Sequence, residues 1–337
     1  MTAIMLDSGI DAGAPWHFGD PMREQRLLDS GEGTVDLSHR GVVTVTGPDR
    51  LSWLHSLTSQ HLDALQPGVG VTTLVLSPQG HIEHVLYGVD DGETFWAHTE
   101  PGAAGPLAAW LDRMRFLMRV EVADRTDAYA VVWTAGDPAD DNRAAGGAGS
   151  TTRIGADSLG GRELFVPRDR LSAALSDAVR AGMWAYEARR IAAGVPRIGL
   201  DTDHRTIPNE VGLLGVAVHL DKGCYRGQET VARVQNLGRP PRMLALLHLD
   251  GSGERPDTGD PLLVDGRTVG RLGTVVDHVD LGPIALALLK RGVTAGTSLT
   301  TGGEHPVPAE IDPDSPPVAD ETGAGRRAVE RLRGGAV

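Results

Sequence analysis

Pro240-Pro241 separates two different patterns of secondary-structure signal. Upstream, strand and helix signals alternate, whereas downstream only short strand signals remain. That ordering predicts an α+β chain followed by a small all-β unit. A helix is predicted over residues 19–30, with Asp20 as N-cap and Pro21 in the first turn, where a missing amide hydrogen costs little. Val42, Val43 and Val45 mark a strand over Gly41–Thr46, and Asp49 is expected to cap a helix whose apolar stripe is Leu51, Trp53, Leu54 and Leu57. The runs Val71–Leu76 and Ile82–Tyr87 flank Ser77-Pro78-Gln79-Gly80, which is good turn chemistry and predicts a hairpin. Strands are predicted over Thr94–His98 and Glu163–Val166. Helices are predicted over Pro106–Met114, Asp169–Gly182 and Tyr186–Ala193, the last stopped by Gly194 with Pro196 beyond. Trp53 and Trp110 lie on apolar helical stripes and are read as core.

Residues 135–161, with the run Arg143 to Ser150, read as a long surface loop. Past Pro241 the segments Met243–Leu249, Pro261–Val264, Thr268–Val276 and Ile284–Leu289 are separated by Gly, Pro and Asp turns, the pattern of a small antiparallel barrel or sandwich. The expected organisation is an N-terminal extension with a short helix (1–33), two α+β subdomains (34–240), a barrel (241–303) and a tail (304–337).

Composition narrows the function classes. Hydrophobic residues make up 40% and charged residues 23% of the 337 positions, which suits a soluble protein with a real core. No apolar run reaches the roughly 18 residues of a membrane span, and Asp7 and Asp11 without a basic segment count against a secretory signal. With 32 basic and 45 acidic residues the net charge is −13, which opposes attraction to a polyanion, so direct nucleic-acid binding is not expected. Small anions stay open as ligands, because a few placed arginines hold them whatever the total charge. The single cysteine, Cys224, has no intramolecular disulfide partner, which fits a reducing cytoplasm. One thiolate cannot by itself hold an iron–sulfur cluster or a structural zinc.

The segment Lys222-Gly223-Cys224-Tyr225-Arg226-Gly227-Gln228-Glu229-Thr230-Val231-Ala232-Arg233 carries the most chemistry. Its two glycines permit positive φ or a close approach, and between them Cys224 is flanked by the cations Lys222 and Arg226. Nearby positive charge favours a reactive thiolate. The competing reading is a small hydrophobe buried in a turn, since free cysteine is among the most buried residue types.

Lys222 to Glu229 resembles the K-G-C-[FY]-x-G-Q-E signature of the YgfZ family, which is similar to the T-protein (aminomethyltransferase) of the glycine cleavage system. Val35-Asp36-Leu37-Ser38-His39, Val45-Thr46-Gly47-Pro48-Asp49 and Leu57-Thr58-Ser59-Gln60 resemble further segments of that family, over roughly residues 20–240. The resemblance implies a T-protein-like, three-lobed folate-binding fold with a C-terminal antiparallel β-barrel. It also implies tetrahydrofolate, or a one-carbon derivative of it, as cofactor, and a role in assembly or repair of iron–sulfur enzymes, including tRNA-modifying ones, as transient partners. Cys224 is then the functional thiol. Lys222, Gly223, Tyr225, Gly227, Gln228, Glu229, Glu210 and Arg233 are the candidate folate contacts. For Glu210 a solvated loop carboxylate is the competing reading, and for Arg233 a surface ion pair.

Two positions depart from the T-protein pattern. Where that family has a G-x-[IL]-x-D-D-L segment, this chain has Gly80-His81-Ile82-Glu83-His84-Val85-Leu86, so Glu83 stands at one Asp position as a candidate catalytic carboxylate and His84 at the other. The family's R-L-E-A-G is Arg190-Ile191-Ala192-Ala193-Gly194 here, so Ala192 replaces a Glu expected to grip folate. Both changes argue against glycine cleavage. On a strand, His81 and Glu83 share a face and His84 points the other way, so no metal centre is expected. Arg189-Arg190 reads as a solvated helix face. Three functions follow: a folate-binding accessory to iron–sulfur enzymes, a tetrahydrofolate-dependent aminomethyl or methyl transferase using Glu83 as a carboxylate base, and a tRNA-modification regulator without chemistry.

Overall fold

The computed structural model describes residues 2–136, 150–155, 157–176, 178–238, 240–304 and 306–313. Residues 137–149 and 156 of the predicted loop and 305 and 314–337 of the predicted tail lie outside the described residues, and within the predicted loop Thr151–Arg153 is a strand, because it pairs with Gly161–Pro167. The chain divides into two compact units, one of Met1–Val75 with His84–Arg189 and one of Leu76–Glu83 with Arg190–Val337.

The first unit holds two five-stranded sheets and a two-stranded one that pairs Ile4–Met5 with Pro15–His17. One has the strand order Thr151–Arg153, Gly161–Pro167, Tyr129–Ala135, Thr34–Asp36, Arg180–Ala181. The other runs Gly70–Leu76, Ile82–Asp90, Thr94–Thr99, Gly41–Thr46, Glu121–Asp124. Its helices follow the predicted signals. Helix α1 (Pro21–Asp29) is capped by Asp20, whose carboxylate accepts the Arg23 amide at 3.0 Å. Helix α2 (Arg50–Leu57) differs in its cap: Asp49 makes no cap bond, and its carboxylate instead accepts the Arg119 amide at 2.8 Å and guanidinium at 2.6 Å. Helix α3 (Ala104–Arg113) follows. Trp53 and Trp110 are buried with Val43, Phe95 and Leu107 in one core, while Val35, Val131, Trp133, Phe165 and Met183 form another.

The helix expected over Asp169–Gly182 is cut short. A single 3-10 turn at Arg168–Arg170 leads into α4 (Leu171–Ser176), and Arg180–Ala181 then pairs parallel with Thr34–Val35. A partner 146 positions away (180 − 34) leaves no periodic trace in the local sequence. Helix α5 (Met183–Ala192) is stopped as predicted by Gly194, whose φ of +67° only glycine adopts freely. Arg190, read as solvated, is buried: its guanidinium donates to Asp201 at 2.7 Å and to the Val195 carbonyl at 2.6 Å.

The second unit contains α6 (Gln228–Leu237) and a closed antiparallel barrel. Around the barrel run Arg242–Leu249, Gly282–Lys290, Arg267–His278, Pro261–Val264, Leu299–Thr301 and Pro308–Ile311, the last pairing back onto the first. The closing strand lies in what the sequence assigned to the tail, because its Pro- and acid-rich flanks mask a four-residue alternation in which Ala309 and Ile311 point inward. Met243, Leu247, Leu262, Leu272, Leu289 and Ile311 fill the interior. No helix among the described residues is long and apolar enough to cross a membrane.

Candidate functional site

Four pieces of the second unit meet around one cavity. The hairpin tip forms because Ser77 and Gly80 close the turn. The Gly80 amide donates to the Ser77 carbonyl at 2.9 Å, and the Ser77 hydroxyl accepts the Gln79 and His81 amides. The tip is held to the 203–207 loop by the Ile82 amide, which donates to the Thr206 carbonyl at 2.9 Å.

The start of α6 sits directly against this tip. Gly227 has φ +82°, and a Cβ on it would lie 2.4 Å from the Ser77 carbonyl oxygen. Gly80, also at φ +82°, would place a Cβ 2.9 Å from that of Thr230. Neither position has room for a side chain, so the two glycines set how closely helix and turn approach. Glu83 and Arg226 close the contact with an ion pair of 2.9 Å between side chains that are each about a third exposed.

Glu210 ends the 3-10 turn Pro208–Glu210, where its carboxylate accepts the Ile207 amide at 3.1 Å, and the Asn209 amide group donates to the Val231 carbonyl of α6 at 3.2 Å. Arg242 opens the first barrel strand and lays its fork on two acids. It donates to both oxygens of Glu210 at 2.8 Å and to Asp203 at 2.6 Å. Burial works to raise the Asp203 pKa. The hydrogen bonds from Arg242, the Arg205 amide and Thr206 outweigh it and hold the carboxyl well below the usual carboxylate range. Burial likewise works to lower the Arg242 pKa, and its bonds to Glu210 and Asp203 hold it up.

These elements line a cavity of about 780 Å³. Gln79 and His81 come from the tip, Glu229, Thr230 and Arg233 from α6, Asp203, Arg205 and Glu210 from the loop, and Arg242 and Lys290 from the barrel. Arg242 and Lys290 are cross-strand partners, so both face the cavity from adjacent strands. Among the described residues no acceptor meets the guanidinium of Arg205 or Arg233.

Of the residues singled out in the sequence, Glu210, Glu229 and Arg233 line this cavity together; Lys222, Gly223, Cys224, Tyr225, Gly227, Gln228 and Glu83 do not. Glu210 is no solvated loop carboxylate, being 1% exposed. Gly223 has neither positive φ nor a close neighbour, so of the two motif glycines only Gly227 is sterically required. Gln228 accepts the Tyr225 amide at 3.1 Å, which folds the motif back on itself ahead of α6.

Cys224 is exposed, and this overturns the buried-hydrophobe reading. The two flanking cations are not reserved for it. Lys222 rests its ammonium over the Tyr225 ring, 5.2 Å from the centroid, and burial lowers it to about 8. Arg226 is held by Glu83. Among the described residues no three His, Cys, Asp or Glu side chains group as metal ligands. Sequence reasoning missed Asp203, Arg205, Arg242 and Lys290. Their signal lies in barrel register and loop folding, neither of which has a local periodicity.

Residues 12–142 match the model of the GCVT N-terminal domain. The chain is 26% identical over 307 residues to an Arabidopsis thaliana protein named as a chloroplastic transferase, covering 82% of this chain and 69% of that protein. It is 28% identical over 306 residues to the aminomethyltransferase of Nostoc sp., covering 81% of each. The crystal structure of the glycine cleavage system aminomethyltransferase T from Bartonella henselae superposes with a TM-score of 0.76 at 17% identity, covering 90% of this chain and 91% of that one. The chain therefore has the fold of aminomethyltransferase T, with mixed helices and sheets and a closed six-stranded barrel, and is similar to aminomethyltransferases in sequence.

Proposed function

We propose that the chain binds a reduced folate in the Glu210-lined cavity and serves in the cytoplasm as an accessory protein to iron–sulfur enzymes, with Cys224 as its working thiol. One observation carries the folate reading: the guanidiniums of Arg205 and Arg233, which meet no acceptor among the described residues, share a cavity wall with the exposed acid Glu229. A ligand matching that wall needs carboxylates for the arginines and an N–H group for the acid. The glutamyl end and the reduced pterin ring of tetrahydrofolate supply them. The cavity's volume falls within the roughly 300–1,000 Å³ typical of small-molecule sites.

Calorimetric titration with 5-formyltetrahydrofolate is expected to give saturable binding at one site. Arg233→Ala is expected to weaken it about tenfold, the loss of one charge-assisted contact, with thermal stability unchanged because Arg233 is exposed. Absence of binding heat with any reduced folate sinks the folate reading.

The accessory role rests on the resemblance of Lys222–Glu229 to the YgfZ signature and on the exposure of Cys224, which presents the thiol to a partner's cluster rather than to the cavity. In a strain lacking the protein, Cys224→Ala is expected to fail to restore the activity of cluster-dependent enzymes. Full restoration removes the thiol from the mechanism.

A second reading, tetrahydrofolate-dependent one-carbon transfer, draws on the similarity to aminomethyltransferases. Its base would be Glu83, whose carboxylate is held by Arg226 outside the cavity. Turnover of tetrahydrofolate to its methylene form, abolished by Glu83→Gln, favours this reading over the accessory role. A regulator acting on tRNA would show a salt-sensitive gel shift, which the net charge of −13 opposes.

A further inference from the structure

The charges around the Glu210-lined cavity do not balance. Arg242 is spent on Glu210 and Asp203, which take its guanidinium at 2.6 to 2.8 Å. Three further cations line the same space: Arg205 from the 203–207 loop, Arg233 from α6 and Lys290 from the end of a barrel strand. Among the lining residues one acid is left to answer them, Glu229, and no ion pair joins it to any of the three. In a chain of net charge −13, a cavity with cations in excess calls for a ligand that brings several negative charges.

Lys290 is exposed, yet its ammonium is placed. Its backbone is the register partner of Arg242, and its Nζ donates to the Thr268 carbonyl on the neighbouring strand at 2.8 Å. That bond uses one N–H of three and leaves two for a ligand. A folate with a single glutamate carries two carboxylates, one for each arginine, and has none for Lys290. Each further γ-linked glutamate adds one carboxylate and one amide N–H. The wall of α6 matches such a chain, because Glu229 and Arg233, four positions apart (233 − 229), set an acceptor beside a cation on one helix face. A compact polyanion such as a polyphosphate has no N–H for Glu229 and is repelled by it.

We propose, resting on the folate reading above, that the cavity selects reduced folates bearing two or more γ-linked glutamates and that Lys290 reads the second of them. Arg205 and Arg233 take the carboxylates of the first glutamate, Glu229 accepts an amide N–H of the chain, and Lys290 takes the next carboxylate.

The test is calorimetric titration of the full chain with 5-formyltetrahydrofolate carrying one or three glutamates, at low and high salt. The triglutamyl form is expected to bind about tenfold more tightly at low salt, the gain from one added charge-assisted contact. High salt is expected to shrink that ratio, because Lys290 lies at the surface. Lys290→Met is expected to bring the ratio close to one and Lys290→Arg to keep it, both with the melting temperature of wild-type, which separates recognition from folding. Equal affinity for the two folates overturns the proposal and leaves the folate reading standing, whereas no binding heat with either removes both. A tenfold preference that survives in Lys290→Met overturns the role of Lys290. Displacement of the triglutamyl form by less tripolyphosphate than free tri-γ-glutamate assigns the cations to a phosphate ligand and overturns it as well.

Discussion

Gly227→Ala is expected to abolish folate binding while leaving the first unit folded. The added methyl meets two obstacles. At φ +82° a left-handed backbone costs an L-residue roughly 1–2 kcal/mol. Its Cβ would also stand 2.4 Å from the Ser77 carbonyl oxygen, and backbone cannot swing aside as a flexible side chain does. Overpacking of this kind adds about 1–3 kcal/mol. The strain is relieved only by parting α6 from the hairpin tip, which withdraws Glu229, Thr230 and Arg233 from Gln79 and His81 and opens the cavity. Titration of G227A with 5-formyltetrahydrofolate is expected to show at least about a hundredfold weaker binding, in line with the cost of misplacing site residues by about 1 Å. Gly223→Ala serves as the control, because its backbone is ordinary and no atom lies within 4 Å of the added methyl. Equal binding by the two variants removes the steric argument.

This contrast between the two glycines shows what the sequence discloses and what it withholds. The K-G-C-Y-R-G-Q-E segment stands out at once, and so does the hairpin that Pro78 and Gly80 specify. Their mutual contact does not, since Ser77 and Gly227 are 150 positions apart (227 − 77). Local chemistry was sufficient wherever a segment answers mainly to itself, as with Asp20 and Pro21 at α1 or Gly194 after α5. It failed where a distant partner decides. Arg180–Ala181 is a strand only because Thr34–Val35 lies beside it, and Asp49 leaves the helix it precedes for Arg119. Glu210 reads as a loop acid until Arg242, 32 positions on and past the Pro-Pro boundary, is brought onto it. The candidate cavity was thus half legible. Its α6 wall was named from a motif, while Asp203, Arg205, Arg242 and Lys290 arrive by tertiary folding.

Arg153→Met is expected to be among the most destabilising single changes to the first unit, by about 3–5 kcal/mol near pH 7, because it strands two carboxylates in the interior. Arg153 is fully buried and donates to Glu163 at 2.9 Å, Asp157 at 2.6 Å and the Thr72 hydroxyl at 2.8 Å. Burial works to raise the Glu163 pKa, but the Arg153 charge overrides it and holds the acid at about 2 against an ordinary 4.5. His98 stacks on Tyr87 and stands 3.8 Å from Glu163, too far for a hydrogen bond; burial, helped by the charges of Arg40 and Arg153, lowers it to about 4 from 6.5. Both groups bind protons less readily when folded than when unfolded, so both contributions are complete at neutral pH and are lost on acidification. His98 accounts for the fall between pH 6.5 and 4, and Glu163 for the fall between 4.5 and 2. Each of these two displacements corresponds to about 3 kcal/mol. Urea unfolding of wild-type, H98N and R153M across that range therefore has a distinct expected pattern. H98N should lose the slope that begins near pH 6.5. In R153M, Glu163 no longer has its cation and burial raises its pKa above 4.5, so the deficit relative to wild-type should begin to narrow above pH 4.5 and go on narrowing towards pH 2. Parallel stability curves for the three proteins would mean that this buried cluster does not set the acid limit of the fold.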